Sequence, residues 1–336
     1  MSAATLSGAA TNREVPVARP SFFIVGNSKS GTTAMSRFLE QHPDLFVCRP
    51  EEPNFFATDF CRDPDPTGLF HPRPEADYLA MFEEAQPGQR CGEASACYLY
   101  SEEAIANIAA FDPDARLIAI FREPVSFLRS YHVQLLKNPI KEGESEQDFE
   151  RALALEAARR RGEQIPEGCL VPEFLFYSER VRYAEHLARV YQHVPKEQVL
   201  VLIYEDFRRD NPGTVRRVFE YLGVDPDFAP AFEQHNNGGQ VVKSRRAQGL
   251  VHQLEHGRGP FGAVKRLAQA VVPAPVRKRL VKAAYQKAVL RTAERPDEAL
   301  VAYLKQQFLP EVAAFSTLIG RDMVAEWGYD AIPNSR

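Results

Sequence analysis

Residues 22–33, Phe-Phe-Ile-Val-Gly-Asn-Ser-Lys-Ser-Gly-Thr-Thr, join a short apolar run to a Gly-rich loop. Gly26 and Gly31 have the spacing of a phosphate-binding P-loop, but Thr32 stands where an ATP or GTP loop carries its lysine, and Lys29 lies inside the loop instead. The backbone N–H groups of such a turn, backed by the positive end of a helix, cradle an anion. Lys29 adds a full charge there, and Thr32 and Thr33 add hydroxyl donors. A cradle with its cation displaced is poorly suited to the β/γ-phosphates of a magnesium nucleotide. A second cation follows a second apolar run: Leu117–Phe121 ends in Arg122, where an NTPase would carry a magnesium-binding carboxylate. A guanidinium at that point recognises phosphate directly, and Ser130, eight residues later, could share that phosphate through its hydroxyl. Two anion sites with no metal ligand suit a nucleotide with two separated anionic ends.

These residues need elements to hold them. Phe22–Val25 is apolar on every side, as a central parallel strand covered on both faces must be. Met35, Phe38 and Leu39 then recur at helical spacing, which puts Thr32 and Thr33 at a helix N-terminus. Leu117–Phe121 reads as a second buried strand, and Pro124 opens a helix with an apolar stripe at Phe127, Tyr131 and Leu135. Val199–Ile203 reads as a third strand, after a helix with Val181, Leu187, Val190 and Tyr191 on one side. Asn211-Pro212 opens another helix, stopped at Gly223. Buried strands alternating with amphipathic helices predict a P-loop-type, doubly wound parallel α/β sheet flanked by helices, one domain with helical inserts.

The chain has 336 residues, 44% hydrophobic and 26% charged, an ordinary globular balance, and its net charge of −4 gives no reason to expect nucleic acid as a partner. Residues 1–20 read as a flexible tail without a signal-peptide core, and no stretch reaches the roughly 18 apolar residues of a membrane span. Five cysteines, with no CxxC or CxxH pairing, point to reduced, mostly buried thiols, no zinc site and a cytoplasmic location. The main domain is expected over 21–336. Within it, the polar, Gly/Pro-broken stretch 138–170 is a candidate lid. Residues 257–293 hold nine Lys/Arg and no acid, which leaves −13 for the rest of the chain. That segment is either a solvated helical insert or a basic patch for an anionic acceptor, a carrier protein or a membrane surface.

The Lys29-Ser30-Gly31-Thr32-Thr33 loop and the Arg122…Ser130 pair resemble the sulfotransferases that use 3′-phosphoadenosine 5′-phosphosulfate (PAPS) and release 3′,5′-ADP. In that resemblance Lys29 to Thr33 form the 5′-phosphosulfate loop, and Arg122-Glu123-Pro124 with Ser130 is similar to the 3′-phosphate motif. Glu123 replaces its usual asparagine, and Phe127 stands where glycosaminoglycan-type members often carry arginine. Tyr204, in Ile203-Tyr204-Glu205-Asp206-Phe207, resembles a tyrosine that packs near the adenine, and Lys243-Ser244-Arg245 resembles a basic loop that closes over the nucleotide. Outside the resemblance, Tyr204 reads as core and Lys243 and Arg245 as a solvated loop. Arg321-Asp322 and Trp327 are similar to the C-terminal helix ending of bacterial members.

Transfer to a hydroxyl or amine needs a base for the nucleophile's proton and cations for the leaving phosphate, the role that fits Lys29. Glu51-Glu52-Pro53-Asn54-Phe55-Phe56 resembles the Lys-Glu-Pro-His-Phe-Phe segment of heparan-type sulfotransferases, which implies Glu52 as general base. Glu51 replaces the lysine, Asn54 the histidine, and Ala57 stands where an acid often follows, so the implied acceptor differs from heparan. No histidine matches the base of the cytosolic small-molecule enzymes. Glu93, in Gly92-Glu93-Ala94-Ser95-Ala96, becomes a secondary candidate for acceptor contact or acid/base work; Asn54 and His132 are further candidates for acceptor contact, His132 reading equally as helix packing. The competing functions are a P-loop nucleotide kinase or NTPase, disfavoured by the missing lysine and by Arg122, and a nucleotide-binding module without catalysis. The sequence leaves the acceptor class open.

Overall fold

The computed structural model describes residues 18–62, 65, 70, 72–137, 143–167, 169–232, 240–242, 290–292 and 297–331. In chain order the elements are β1 (Pro20–Gly26), α1 (Thr32–Leu39), β2 (Leu45–Val47), α2 (Glu75–Leu79), β3 (Arg90–Ala94), α3 (Ala104–Phe111), β4 (Arg116–Phe121), α4 (Pro124–Lys137), α5 (Phe149–Ala154), α6 (Glu156–Arg160), α7 (Tyr183–His193), β5 (Val199–Ile203), α8 (Tyr204–Arg209), α9 (Asn211–Leu222), β6 (Gln240–Val242), β7 (Leu290–Thr292), α10 (Glu298–Ile319) and α11 (Met323–Glu326). The main sheet is parallel, in the order β2-β3-β1-β4-β5; β6 and β7 form a separate antiparallel pair.

Strand alternation divides the interior into two layers. Phe22 and Ile24 of β1, with Ile118 and Ile120 of β4, face Met35, Phe38, Val218 and Phe219. Phe23 and Val25, with Leu117, Ala119 and Phe121, face Leu128, Leu187, Val190 and Phe315. Both faces of each central strand are therefore covered, as the apolar runs require. Each buried Phe or Leu contributes roughly 1.5–3 kcal/mol. The sequence reading found β1, β4 and β5 but not β2 or β3. Arg-Cys-Gly-Glu-Ala of β3 has no apolar run, yet four of its five residues are buried. Gly92 is needed there because a Cβ would come within 2.4 Å of the Phe22 ring on the neighbouring strand.

Two features of the surroundings add to these expectations. Pro20 belongs to β1, and Arg19 just before it lies over the Phe111 ring and pairs with Glu75, so the chain is already ordered at the end of the expected tail. The described part of 138–170 contains a buried ion pair. Glu144 and Arg159 are fully buried and joined by two hydrogen bonds of 2.8 Å, and Tyr177 donates a third, also 2.8 Å, to the same carboxylate. Burial alone would raise the Glu144 carboxyl, but the Arg159 guanidinium holds it below the usual carboxylate range. The basic segment 257–293, except 290–292, and Lys243, Ser244 and Arg245 lie outside the described residues. All five cysteines are free thiols. No helix among the described residues is long and apolar enough to cross a membrane.

Candidate active site

Ligand clefts in open parallel sheets form beyond the C-terminal strand ends, and the candidate residues gather there. The loop after β1 is tied down on both sides. Asn27 N–H donates to Ile120 O of β4 (2.8 Å), while Ser95 and Leu99 N–H donate to Ile24 and Val25 carbonyls. Gly31 has φ 92° and caps α1; a Cβ on it would meet the Phe207 ring at 3.0 Å. Four non-glycine residues among those described have positive φ, and three of them are site candidates: Lys29 (61°), Glu52 (60°) and Asn54 (54°). Backbone strain of that kind costs of order 1–3 kcal/mol per residue and collects at functional sites.

Within the loop, Asn27 and Ser30 are fully buried, yet Asn27 Nδ2 and Ser30 Oγ have no hydrogen-bond partner among the described residues. A buried polar group left unmatched costs about 1–3 kcal/mol, so these two atoms mark where an anion would bind. Tyr100 donates its hydroxyl proton to Asn27 Oδ1 and lies 3.2 Å from Ser28 Oγ. Thr32 is buried and Thr33 exposed at the start of α1. The cradle thus has the donors and the open valences that a phosphosulfate requires.

Arg122 leaves the end of β4 and reaches back to the loop. Its Nη1 donates to Lys29 O at 2.8 Å, and its Nε and Nη2 donate to Ser126 Oγ at 3.0 and 2.7 Å. The Tyr204 ring lies under the guanidinium, 4.6 Å from its carbon, a cation–π contact that fixes the plane of the fork. Tyr183 donates to Arg122 O (2.9 Å). Arg122, the loop and Tyr204 therefore come together as the motifs implied. Ser130 is half-buried on α4, and the hydroxyl on the Arg122 fork is that of Ser126, one helical turn earlier. Sequence reasoning missed Ser126, although its place four residues after Arg122 was a usable signal.

It also missed the continuation of that polar face. Ser126, Ser130, Gln134 and Lys137 recur every three or four residues along α4. Lys29 Nζ donates to Gln134 Oε1 at 3.3 Å. Burial first, and then the Lys29 charge, push the Lys137 ammonium below its ordinary value.

Glu123, where the resembled motif has asparagine, works as a helix cap. Its carboxylate accepts from Val125 N–H (3.0 Å), Ser126 N–H (2.6 Å) and the Tyr329 hydroxyl (2.8 Å). The C-terminal residues close the same corner. Trp327 Nε1 donates to Glu205 Oε2 (3.1 Å), and Arg321 pairs with Asp206 and Glu326. Burial raises the Glu205 carboxyl despite the donors Trp327 Nε1 and Glu123 N–H.

On the other side of β1, Glu52 is exposed and its N–H donates to Ala94 O at the end of β3 (2.9 Å). The other acceptor-side candidates lie inside the protein. Asn54 is 5% exposed and accepts from Cys97 Sγ (3.0 Å). His132 is 3% exposed, lies 2.8 Å from Glu146 O through Nε2, and packs against Phe149 and Tyr177; burial lowers its pKa. Glu93 is 0% exposed and accepts from Tyr98 (2.6 Å), Ser95 (2.7 Å) and Tyr78 (3.2 Å). Burial raises its carboxyl to about 7 against those three donors. As placed, neither His132 nor Glu93 is open to an acceptor, because each side chain is enclosed and engaged. Among the described residues no group of three or more His, Cys, Asp or Glu is placed to hold a metal ion.

Comparison with known proteins gives the same direction. Residues 102–237 match the sulfotransferase domain family model. Heparan sulfate glucosamine 3-O-sulfotransferase 3B1 of Mus musculus is 30% identical over 207 residues, covering 61% of this chain and 46% of that protein. Bifunctional heparan sulfate N-deacetylase/N-sulfotransferase 3 of Homo sapiens is 28% identical over 229 residues, 64% of this chain and 24% of that protein. The chain thus spans about half or less of the length of these curated relatives. The crystal structure of a sulfotransferase from Alicyclobacillus acidocaldarius superposes with a TM-score of 0.66 at 26% identity, over 93% of this chain and 99% of that one.

Proposed function

We propose that this chain, which belongs to the sulfotransferase family, moves the sulfuryl group of PAPS to a hydroxyl or amine of an acceptor. The observation that carries the reading is the anion cradle itself: a strained loop with Ser30 Oγ buried and unmatched, bridged at 2.8 Å by an arginine that stacks on Tyr204. The loop N–H groups, Ser30, Thr32 and Thr33 would hold the 5′-phosphosulfate. Arg122, with Ser126 and Ser130 on the same helix face, would hold the 3′-phosphate, and Tyr204 would flank the base.

In the transfer, the acceptor oxygen or nitrogen forms a bond to sulfur as the bond from sulfur to the 5′-phosphate oxygen breaks. The electron pair leaves with 3′,5′-ADP and the acceptor's proton passes to a base. Lys29 meets the developing charge on the leaving oxygen, with Lys137 as a second cation. Glu52 takes the proton; it is an exposed residue whose N–H is tied to the end of β3, beside the strand that carries the loop. The acceptor is a small molecule, a carbohydrate, a lipid or a carrier-bound intermediate. Heparan sulfate, named in the relatives, is the least expected because Asn54 and Ala57 depart from their motif. A cytoplasmic location belongs to the same reading, supported by five unpaired thiols.

Calorimetry tests the nucleotide assignment directly. Without magnesium, 3′,5′-ADP binds far more tightly than ADP; equal affinities overturn the role given to Arg122. Mass spectrometry of acceptor libraries incubated with PAPS, read for an added sulfo group, then names the acceptor.

A further inference from the structure

We propose that Glu93 is a positioning residue for Glu52: through the hydroxyls of Ser95 and Tyr98 it holds the 52–56 backbone in the strained form that presents the Glu52 carboxylate. The inference rests on the reading of Glu52 as the base.

Glu52 and Asn54 both have left-handed backbone, on either side of Pro53. An L-residue held in that region costs about 1–2 kcal/mol, so the stretch keeps this shape only if its surroundings impose it. Three backbone donors do so. Glu52 N–H reaches Ala94 O at 2.9 Å, Asn54 N–H reaches Ser95 Oγ at 3.0 Å, and Phe56 N–H reaches Tyr98 OH at 3.3 Å. Two of the three acceptors are side-chain hydroxyls, and a hydroxyl can serve a backbone donor with its lone pairs only if its proton points elsewhere. Here both protons point at Glu93, at 2.7 and 2.6 Å.

Above about pH 7, where the Glu93 carboxyl is ionised, it only accepts and so fixes the direction of each relay. A neutral amide in its place brings two donors and a single acceptor oxygen, turns at least one hydroxyl around, and takes a lone pair away from the 54–56 backbone. The same carboxylate collects the Tyr78 hydroxyl at 3.2 Å, and the Tyr78 ring stacks on Phe55 at 4.3 Å, so the segment is held from its apolar side as well. Being fully buried, Glu93 touches neither donor nor acceptor; it acts through the segment.

The test compares Glu93→Gln, Ser95→Ala, Glu52→Gln and the Glu93→Gln/Glu52→Gln double variant. Transfer is read as labelled sulfate released from PAPS, with water in the acceptor's place. Hydrogen exchange is read on the peptide spanning 51–57. Glu93→Gln is expected to slow transfer about 10²-fold, the scale of a misplaced catalytic group, to speed exchange at 51–57 at least about tenfold, and to leave 3′,5′-ADP affinity and exchange at 22–33 unchanged. The double variant loses no more than Glu52→Gln alone, because the two residues act as one unit. Losses that multiply in full, or unchanged exchange at 51–57, overturn the inference. If Glu93→Gln does not fold, Ser95→Ala cuts one relay with Glu93 in place and carries the same readouts. If Glu52→Gln transfers as fast as the parent, the base assignment falls and this inference with it. If Glu52→Gln is impaired and Glu93→Gln is not, the inference alone falls.

Discussion

At the ends of β1 and β4, Asn27 Nδ2 and Ser30 Oγ are buried without a partner among the described residues, whereas at the end of β3 the Glu93 carboxylate gathers three hydroxyl donors. Both corners are strained, with left-handed Lys29 in one and left-handed Glu52 and Asn54 in the other. The first leaves valences open and so is built to receive a ligand. The second closes its valences on itself and so is built to hold a backbone. The contrast predicts that substitutions on the β1–β4 side change ligand binding or turnover at little cost in stability. Those under Glu93 change stability and turnover and leave nucleotide affinity alone.

Lys29→Ala gives the largest effect. Removing the cation at the leaving oxygen lowers transfer about 10³-fold, the upper end for one electrostatic donor. Thermal unfolding stays within about 2 °C, because the bond its ammonium donates to Gln134 is a long one, at 3.3 Å. A large loss of thermal stability would place Lys29 with the structural residues and break the comparison.

On the other side, the pH dependence of stability should carry the signature of Glu93. Its carboxyl stands at about 7 in the folded protein against 4.5 when free, with burial as the main cause and the neighbouring Glu52 charge acting in the same direction. The unfolded chain releases the proton first as pH rises, so stability from this group is fully present below about 4.5 and is lost as pH climbs through about 7. The loss is on the order of 3 kcal/mol. Urea midpoints of the parent should therefore fall between pH 5 and 8 by more than those of Glu93→Gln; identical slopes remove Glu93 from the pH response.

How much of this could be read from the sequence follows the same division. The β1, β4 and β5 strands are apolar runs, and the loop and Arg122 stand at their ends, so the anion side was legible from spacing and motif. Ser126, Gln134 and Lys137 required the helix face that α4 actually presents. The β3 corner was illegible for a physical reason. A buried strand with glycine and glutamate in it has no periodic signal, and the acid is tolerable inside only because hydroxyls at positions 78, 95 and 98 converge on it. The packing of the insert was illegible for the same reason: Glu144 and Arg159 look like surface charges until they are seen buried together.

Arg122→Ala sharpens the comparison on the nucleotide side. Charge-assisted hydrogen bonds of this kind contribute about 1.5–3 kcal/mol, so 3′,5′-ADP should bind about 10- to 100-fold more weakly. ADP, which lacks the 3′-phosphate, should bind as before. Calorimetry that finds both nucleotides weakened equally would assign Arg122 to the loop, through its bond to Lys29 O, instead of to the phosphate.

Glu123 probes the boundary between the two kinds of corner, since it sits beside Arg122 yet has its carboxylate filled by two backbone donors and Tyr329. Glu123→Ala strips the first turn of α4 of its cap and should cost about 1 kcal/mol in urea unfolding. Because Ser126 is in that turn and holds two nitrogens of Arg122, 3′,5′-ADP affinity should also weaken, by about two- to fivefold, on the scale of a partly frayed turn. Glu123→Asn keeps an acceptor oxygen for one of the two N–H groups and should recover most of both losses. If the stability loss appears without any change in affinity, the cap and the Arg122 fork are independent, and the division of labour runs between neighbouring residues rather than between the two sides of the sheet.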